Sequence, residues 1–227
     1  MIGIIGAMGI EIDKINEAME EKKEITLSGI LFTRGTLYGK DVVTAVCGVG
    51  KVFAAICAEA MIIKFAPDII INTGVAGALN EELSIGDVVV ADYVLQHDMD
   101  TSPLGDEVGL LSGINIVKIP SDKEVSDAIS KCVAQNVKVI RGIIASGDQF
   151  IADKEKKTRI RALFNADACE MEGGAIGHAA YVNGVKFAVI RAISDSASEE
   201  SQVDYPTFAK KAAQISAEAV KLFVKER

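Results

Sequence analysis

Tryptophan is absent from this chain, histidine occurs twice and proline four times. With only His97 and His178, imidazole chemistry has little to draw on. His97-Asp98-Met99-Asp100 has the look of a ligand cluster, but no second histidine is near it, and no metal site is expected. The four cysteines, Cys47, Cys57, Cys132 and Cys169, stand far apart in apolar surroundings with no CxxC. They read as free buried thiols rather than as a disulfide framework, which suits a reducing compartment. Positive charge is also scarce: 24 Lys and Arg face 32 Asp and Glu, for a net charge of −8. That balance argues against a nucleic-acid partner, whose surface calls for a basic patch. The one basic run, Lys154-Glu155-Lys156-Lys157-Thr158-Arg159-Ile160-Arg161, reads as the solvated face of a helix. Apolar stretches such as Ala60 to Ile71 are broken by Lys64, Pro67 and Asp68, so no membrane span is expected. Met1-Ile2-Gly3-Ile4-Ile5-Gly6 has no basic leader and reads as a first strand, which makes a cytoplasmic location the expectation.

Several catalytic signatures are missing too. Gly3-Ile4-Ile5-Gly6-Ala7-Met8-Gly9 spaces its glycines as G-x-x-G-x-x-G, not as the dinucleotide fingerprint G-x-G-x-x-G. No Walker sequence and no G-x-S-x-G elbow occurs. No cofactor is expected, and a serine or cysteine nucleophile has no partner base in the sequence pattern.

What remains is an apolar fraction of 49% in 227 residues, enough for one well-buried domain spanning 1–227. Strand patterns at Ile2–Ile5, Ile30–Leu37, Val42–Cys47, Ile69–Asn72, Asp87–Leu95, Lys138–Ala145 and Val185–Ile190 alternate with helical ones. The helical stretches are a first helix with Ile12, Ile15 and Met19 inward and Glu17, Glu20, Glu21 and Lys22 outward, then Val52–Phe65, Asp122–Ala134, the basic run, Ala175–Val182 and Pro206–Val224. Gln96 to Ile116 reads as a long loop. The pattern predicts a three-layer α/β domain, a central mixed twisted sheet flanked by helices.

Within it, two charged blocks stand out. Glu170-Met171-Glu172 opens a helix, and Arg191-Ala192-Ile193-Ser194-Asp195 closes a strand. Strand ends and helix starts converge on the ligand crevice of an α/β sheet, so the pairing predicts carboxylates and a guanidinium in one pocket. Structural ion pairs have the same signature, and the spacing alone leaves both readings open. Glu11, just past the first strand, reads by itself as a helix-start acid favoured by the helix dipole.

Five blocks in register resemble a known family: Gly3-Ile4-Ile5-Gly6-Ala7-Met8 with Glu11, Ile71-Asn72-Thr73-Gly74-Val75-Ala76-Gly77, Ser146-Gly147-Asp148-Gln149-Phe150-Ile151, Glu170-Met171-Glu172 and Arg191-Ala192-Ile193-Ser194-Asp195. Together they are similar to the bacterial 5′-methylthioadenosine/S-adenosylhomocysteine nucleosidases of the nucleoside phosphorylase superfamily. The resemblance implies a nucleoside phosphorylase-like fold and hydrolysis of an N-glycosidic bond, with adenine as product and methionine salvage as setting. It implies Asp195 as the acid that protonates N7, oriented by Ser194, and Glu11 as the group that activates water with help from Arg191. Glu172 would hold the ribose hydroxyls over Met171. Phe150 would stack on adenine and the Ile151 backbone would read its edge, with Met8, Val49 and Ala76 lining the pocket. A homodimer is implied, with Thr101 and Leu104 on a loop given to the partner subunit's pocket and Tyr205 near the 5′-substituent. Val75 and Leu104 depart from the common pattern at Ser and aromatic positions, and Gly173-Gly174 is expected to loosen a helix start. A futalosine hydrolase-type nucleosidase and a non-catalytic nucleoside-binding protein are the alternatives.

Overall fold

The computed structural model describes residues 1–134, 137–195 and 205–227, with Tyr205 described by its backbone alone. The chain starts with the fully buried β1 (Ile2–Gly6) and the helix α1 (Gly9–Ala18). The sequence pattern ran this helix on to Lys22, but Glu20, Glu21 and Lys22 instead open the edge strand β2 (Glu20–Leu27). A Glu- and Lys-rich segment favours helix locally; pairing along β3 (Ile30–Leu37) overrides that preference. Ser28 and Gly29, both at positive φ, close the β2–β3 hairpin, and Tyr38 and Gly39 do the same between β3 and β4 (Lys40–Val46). Such two-residue turns with both central φ positive match the twist of paired strands. The charges on β2 also suit a sheet edge, where they discourage pairing with another chain.

Helix α2 (Lys51–Phe65) leads to β5 (Ile69–Ala78), all ten residues of which are buried. The sequence pattern ended this strand at Asn72 in a glycine turn. In fact Thr73 to Gly77 continue it, because β10 pairs along one edge while β1 and then β9 occupy the other. The glycines serve close packing here, not a turn. Strand β6 (Val88–Gln96) is followed by a short 3-10 turn at Ser102–Leu104 and by β7 (Ile119–Pro120). Then come α3 (Lys123–Val133), β8 (Val139–Ser146), α4 (Lys154–Phe164), β9 (Ala168–Glu170), α5 (Gly173–Val182), β10 (Lys186–Asp195) and α6 (Tyr205–Glu226).

The sheet is mixed, as the sequence predicts. β1 runs parallel to β4 and β5, and β5 to β10, whereas β10 and β6 are antiparallel. From β10 the pairing passes through β6, β8 and β9 back to β5, so five strands close on themselves. That closure draws the ends of β9 and β10 together beside the end of β5. Helices α1, α3 and α6 cover one face through Ile12, Ile15, Ile129, Val220 and Phe223. Helices α2 and α5 cover the other through Cys57, Met61 and Ile176, and α4 packs Ile160 and Phe164 on a third cluster. No helix among the described residues is long and apolar enough to cross a membrane. All four cysteines are free and buried, and burial pushes the Cys57 thiol up to about 12.

Candidate active site

The ends of β1, β5, β9 and β10 surround a cavity of about 390 Å³, within the usual range for a small-ligand site. Its wall carries Glu11, Glu172 and Asp195 together, along with Met8, Val49, Ala76, Phe150, Ile151, Met171 and Ser194. Ten of the residues that the family resemblance implies for a site thus line one cavity. Phe150 and Val49 are 59% and 52% exposed, so they form its mouth rather than its floor.

Glu11 is buried on the third residue of α1. Its Oε2 accepts the N–H groups of Ala7 (2.7 Å) and Met8 (3.0 Å), and its Oε1 accepts that of Val75 (3.1 Å). The helix-start role is therefore real, and it is combined with a place in the cavity. Burial raises the Glu11 pKa, against the Arg191 charge and the three N–H donors, which pull it down. A carboxyl so placed is closer to a general base than an exposed glutamate is.

Gly74 matters to this group through its missing side chain. A Cβ there would sit 2.6 Å from Glu11 Oε1. Gly74→Ala should displace the carboxylate and lower any catalysis at this cavity by about 10–100-fold, since small misplacements of a reacting group are costly. Gly113, with nothing within 4 Å of its would-be Cβ, supplies the control. Equal activity in Gly74→Ala and Gly113→Ala would contradict the placement.

Glu172 Oε1 accepts the Gly50 N–H at 2.9 Å, which ties the loop before α2 across the cavity. Burial pushes its pKa up to about 7, helped by the Glu170 charge and opposed by Arg191. Glu170 is the residue whose weight the sequence underestimated. It accepts from the Glu172 and Gly173 N–H groups (3.1 and 2.8 Å) and so caps α5, while binding Ser146 Oγ and Arg191. The glycine pair does not loosen the helix start. A Cβ on Gly174 would lie 2.7 Å from the Leu95 carbonyl, so its absence lets α5 press onto β6 and β8.

Arg191 is 1% exposed and stands behind the cavity rather than in its wall. Its Nη2 donates to Asn72 Oδ1 (2.5 Å) and Glu170, and its Nη1 to the Ile190 and Asn72 carbonyls. The nearest Glu172 oxygen is 3.9 Å away. Direct hydrogen bonding to Glu11 is not part of this arrangement; Arg191 acts on it through charge. Burial works against the Arg191 charge, but Glu170, Glu172 and Glu11 outweigh it and raise its pKa.

Asp195 is fixed by Ser194 Oγ, 3.3 Å from Oδ1, and by Lys157 Nζ, 2.9 Å from Oδ2. Lys157 belongs to the basic run read above as a solvated helix face. That reading holds for Lys154, Lys156 and Arg159, but Lys157 is buried on the inward line with Ile160 and Phe164. The three- and four-residue spacing of 157, 160 and 164 was the available signal. His97 and Asp98 form no ligand cluster: Asp98 binds Lys51 Nζ at 2.5 Å, and the described residues contain no group of three His, Cys, Asp or Glu that could hold a metal. Burial lowers the pKa of both His97 and His178. Leu104 is 84% exposed on the 3-10 turn, and Thr101 binds Asp106 (2.7 Å); neither lines this chain's cavity. The Tyr205 side chain lies outside the described residues.

Residues 1–225 match the phosphorylase superfamily. A 5′-methylthioadenosine/S-adenosylhomocysteine nucleosidase of Shewanella halifaxensis is 43% identical over 228 residues, covering 99% of both chains. The chain belongs to this nucleosidase family. Its fold matches a crystal structure of the Neisseria meningitidis nucleosidase in complex with methylthio-immucillin-A, at a TM-score of 0.95 and 35% identity, over 100% of this chain and 99% of that one. A futalosine hydrolase of Helicobacter pylori matches at a TM-score of 0.94 and 35% identity, over 100% and 97%. Nucleosidase-family architecture, with a mixed sheet between helical layers, is therefore common to both substrate classes.

Proposed function

We propose that this chain hydrolyses the N-glycosidic bond of 5′-methylthioadenosine, S-adenosylhomocysteine and 5′-deoxyadenosine to release adenine. The observation that carries this is the convergence of Glu11, Glu172 and Asp195 on one cavity. As the C1′–N9 bond breaks, the ribose becomes oxocarbenium-like and the purine gathers charge. Asp195, oriented by Ser194, protonates N7; Glu172 holds the ribose hydroxyls beside the developing cation, over Met171. Phe150 stacks on the base, the Ile151 backbone meets its edge, and Met8, Val49 and Ala76 complete the apolar lining. Glu11 takes a proton from the attacking water. Arg191 assists through its charge. A carboxylate at Glu11 repels phosphate, which favours water as the acceptor. The 43% identical relative carries the adenosine-type name, and this supports that substrate class over the futalosine type.

Residues 1–227 act as one nucleosidase domain, and two copies form a homodimer. Exposed Val52, Phe53, Ile56 and Ile63 on α2 and Tyr181 and Val182 on α5 supply an apolar face for it. Thr101, Leu104 and Tyr205 then complete the 5′-pocket. A cytoplasmic place in methionine salvage fits the free thiols.

Base release from a nucleoside panel in phosphate-free buffer tests the reading. Adenine should appear from 5′-methylthioadenosine at a rate that added phosphate leaves unchanged. A phosphate requirement would overturn hydrolysis, and preference for a carboxylated 5′-substituent would move the substrate to the futalosine type. Tight nucleoside binding with no base released would leave a non-catalytic protein.

A further inference from the structure

We propose that Lys157 is a positioning residue that drives proton delivery from Asp195 to the leaving base; this rests on the nucleosidase reading. Its ammonium is 2.9 Å from Asp195 Oδ2, in a pair whose side chains are 7% and 9% exposed. Ion pairs on protein surfaces are screened and contribute little. This one is sheltered, so its charge acts on the carboxyl at close range and low dielectric. The contact is also directional. Lys157 engages Oδ2, Ser194 engages Oδ1, and the carboxyl lies against Gly77, where a Cβ would be 3.0 and 3.1 Å from the two oxygens.

The chemistry explains why a cation belongs there. In the reaction Asp195, protonated from solvent before the chemical step, gives that proton to N7 and the C1′–N9 electron pair passes to the purine. Asp195 is left as a carboxylate. Water adds to the ribosyl cation and gives a proton to Glu11; adenine and the free sugar leave, Glu11 releases its proton to solvent, and solvent returns one to Asp195. Negative charge thus grows on Asp195 as the bond breaks, and a fixed ammonium beside it stabilises that charge without reorganising. Among the described residues no other cation is placed to do this: Arg191 pairs with Glu170 behind the cavity. The neighbouring Cys169 stays a neutral thiol, since burial pushes it up to about 12.

The placement has a local cause. Asp153 caps α4 through the Lys156 N–H (2.8 Å), and Ile160 and Phe164 pin its inner face, so position 157 points at the end of β10. Only one lysine of the run has this phase.

The experiment compares Lys157→Met and Lys157→Arg on two substrates. One is 5′-methylthioadenosine, whose base must be protonated. The other is a 4-nitrophenyl 5-methylthioriboside, whose phenolate leaves without a proton. Lys157→Met should lower kcat for methylthioadenosine about 10–100-fold with KM within about threefold, and leave nitrophenolate release within about twofold. Lys157→Arg should recover most of the loss. Combined with Asp195→Asn, Lys157→Met should cost little more than Asp195→Asn alone, as expected for groups acting as a unit. Equal losses on both substrates, full additivity with Asp195→Asn, or an unchanged rate would overturn the role. A wild-type protein that releases no adenine would sink the nucleosidase reading itself, and this inference with it.

Discussion

Asp195→Asn should lower adenine release from 5′-methylthioadenosine by about 10²–10⁴-fold, the range supplied by one positioned proton donor. The substitution keeps shape and volume while removing the transferable proton and the carboxylate charge. Ser194 Oγ can still reach the side chain, and Ala76 and Phe150 still line the cavity, so nucleoside binding should persist. The loss should therefore fall on kcat, with KM little changed. Asparagine also leaves Lys157 without its carboxylate partner, so some stability should go as well. Steady-state kinetics alongside a thermal melt separate the two effects. A variant that keeps a tenth of the wild-type kcat would remove Asp195 from the acid's role.

Glu172→Gln should give the opposite signs for activity and stability. The carboxyl has a pKa near 7 when folded against an ordinary value of 4.5. Its neutral form is thus favoured in the native state. The stability this contributes is complete below pH 4.5 and is lost as pH rises through about 7. At pH 8 the ionised, buried carboxylate costs about 3 kcal/mol relative to its unfolded reference. Glutamine escapes that cost and can still accept the Gly50 N–H. The variant should melt several degrees above wild type at pH 8, with the gap closing toward pH 4.5. Adenine release should meanwhile fall by at least about tenfold, because the charge facing the ribosyl cation is gone. A gap that does not change with pH, or a variant less stable than wild type at pH 8, would contradict this account.

Much of this site was legible in the sequence because its carboxylates sit at strand ends and helix starts. Element order put Glu172 and Asp195 at one crevice while fitting a structural ion pair equally well, and Met8, Ala76 and Ser194 came only from the family resemblance of their blocks. What escaped was set by tertiary context. Edge pairing made a strand of Glu20–Leu27 despite its helix-forming composition. Closure of the sheet extended β5 past Asn72, where local glycines pointed to a turn. Lys157 looked like its exposed neighbours because charge dominates composition, whereas burial depends on helix phase. Glu170 was visible as a carboxylate, but its capping of α5 and its hold on Arg191 depend on where β9, paired between β8 and β5, sets it beside α5 and Arg191. The family resemblance has Arg191 assist the water at Glu11; in the fold its Nη donors are engaged by Glu170, Asn72 and Ile190, and it reaches Glu11 through charge.

The three amide hydrogens around Glu11 have a consequence for how this architecture can change its chemistry. As the proposed base, Glu11 is held by main chain from β5 and from the turn leading into α1, which opposes its swinging aside to admit a bulkier, anionic acceptor. Replacing water with phosphate would require more than one new side chain. The first turn of α1 and the Gly74-Val75 stretch of β5 would have to be reshaped together. The choice of acceptor is in this sense written into the path of the backbone, and point mutations at the cavity wall should retune the nucleoside far more easily than the nucleophile.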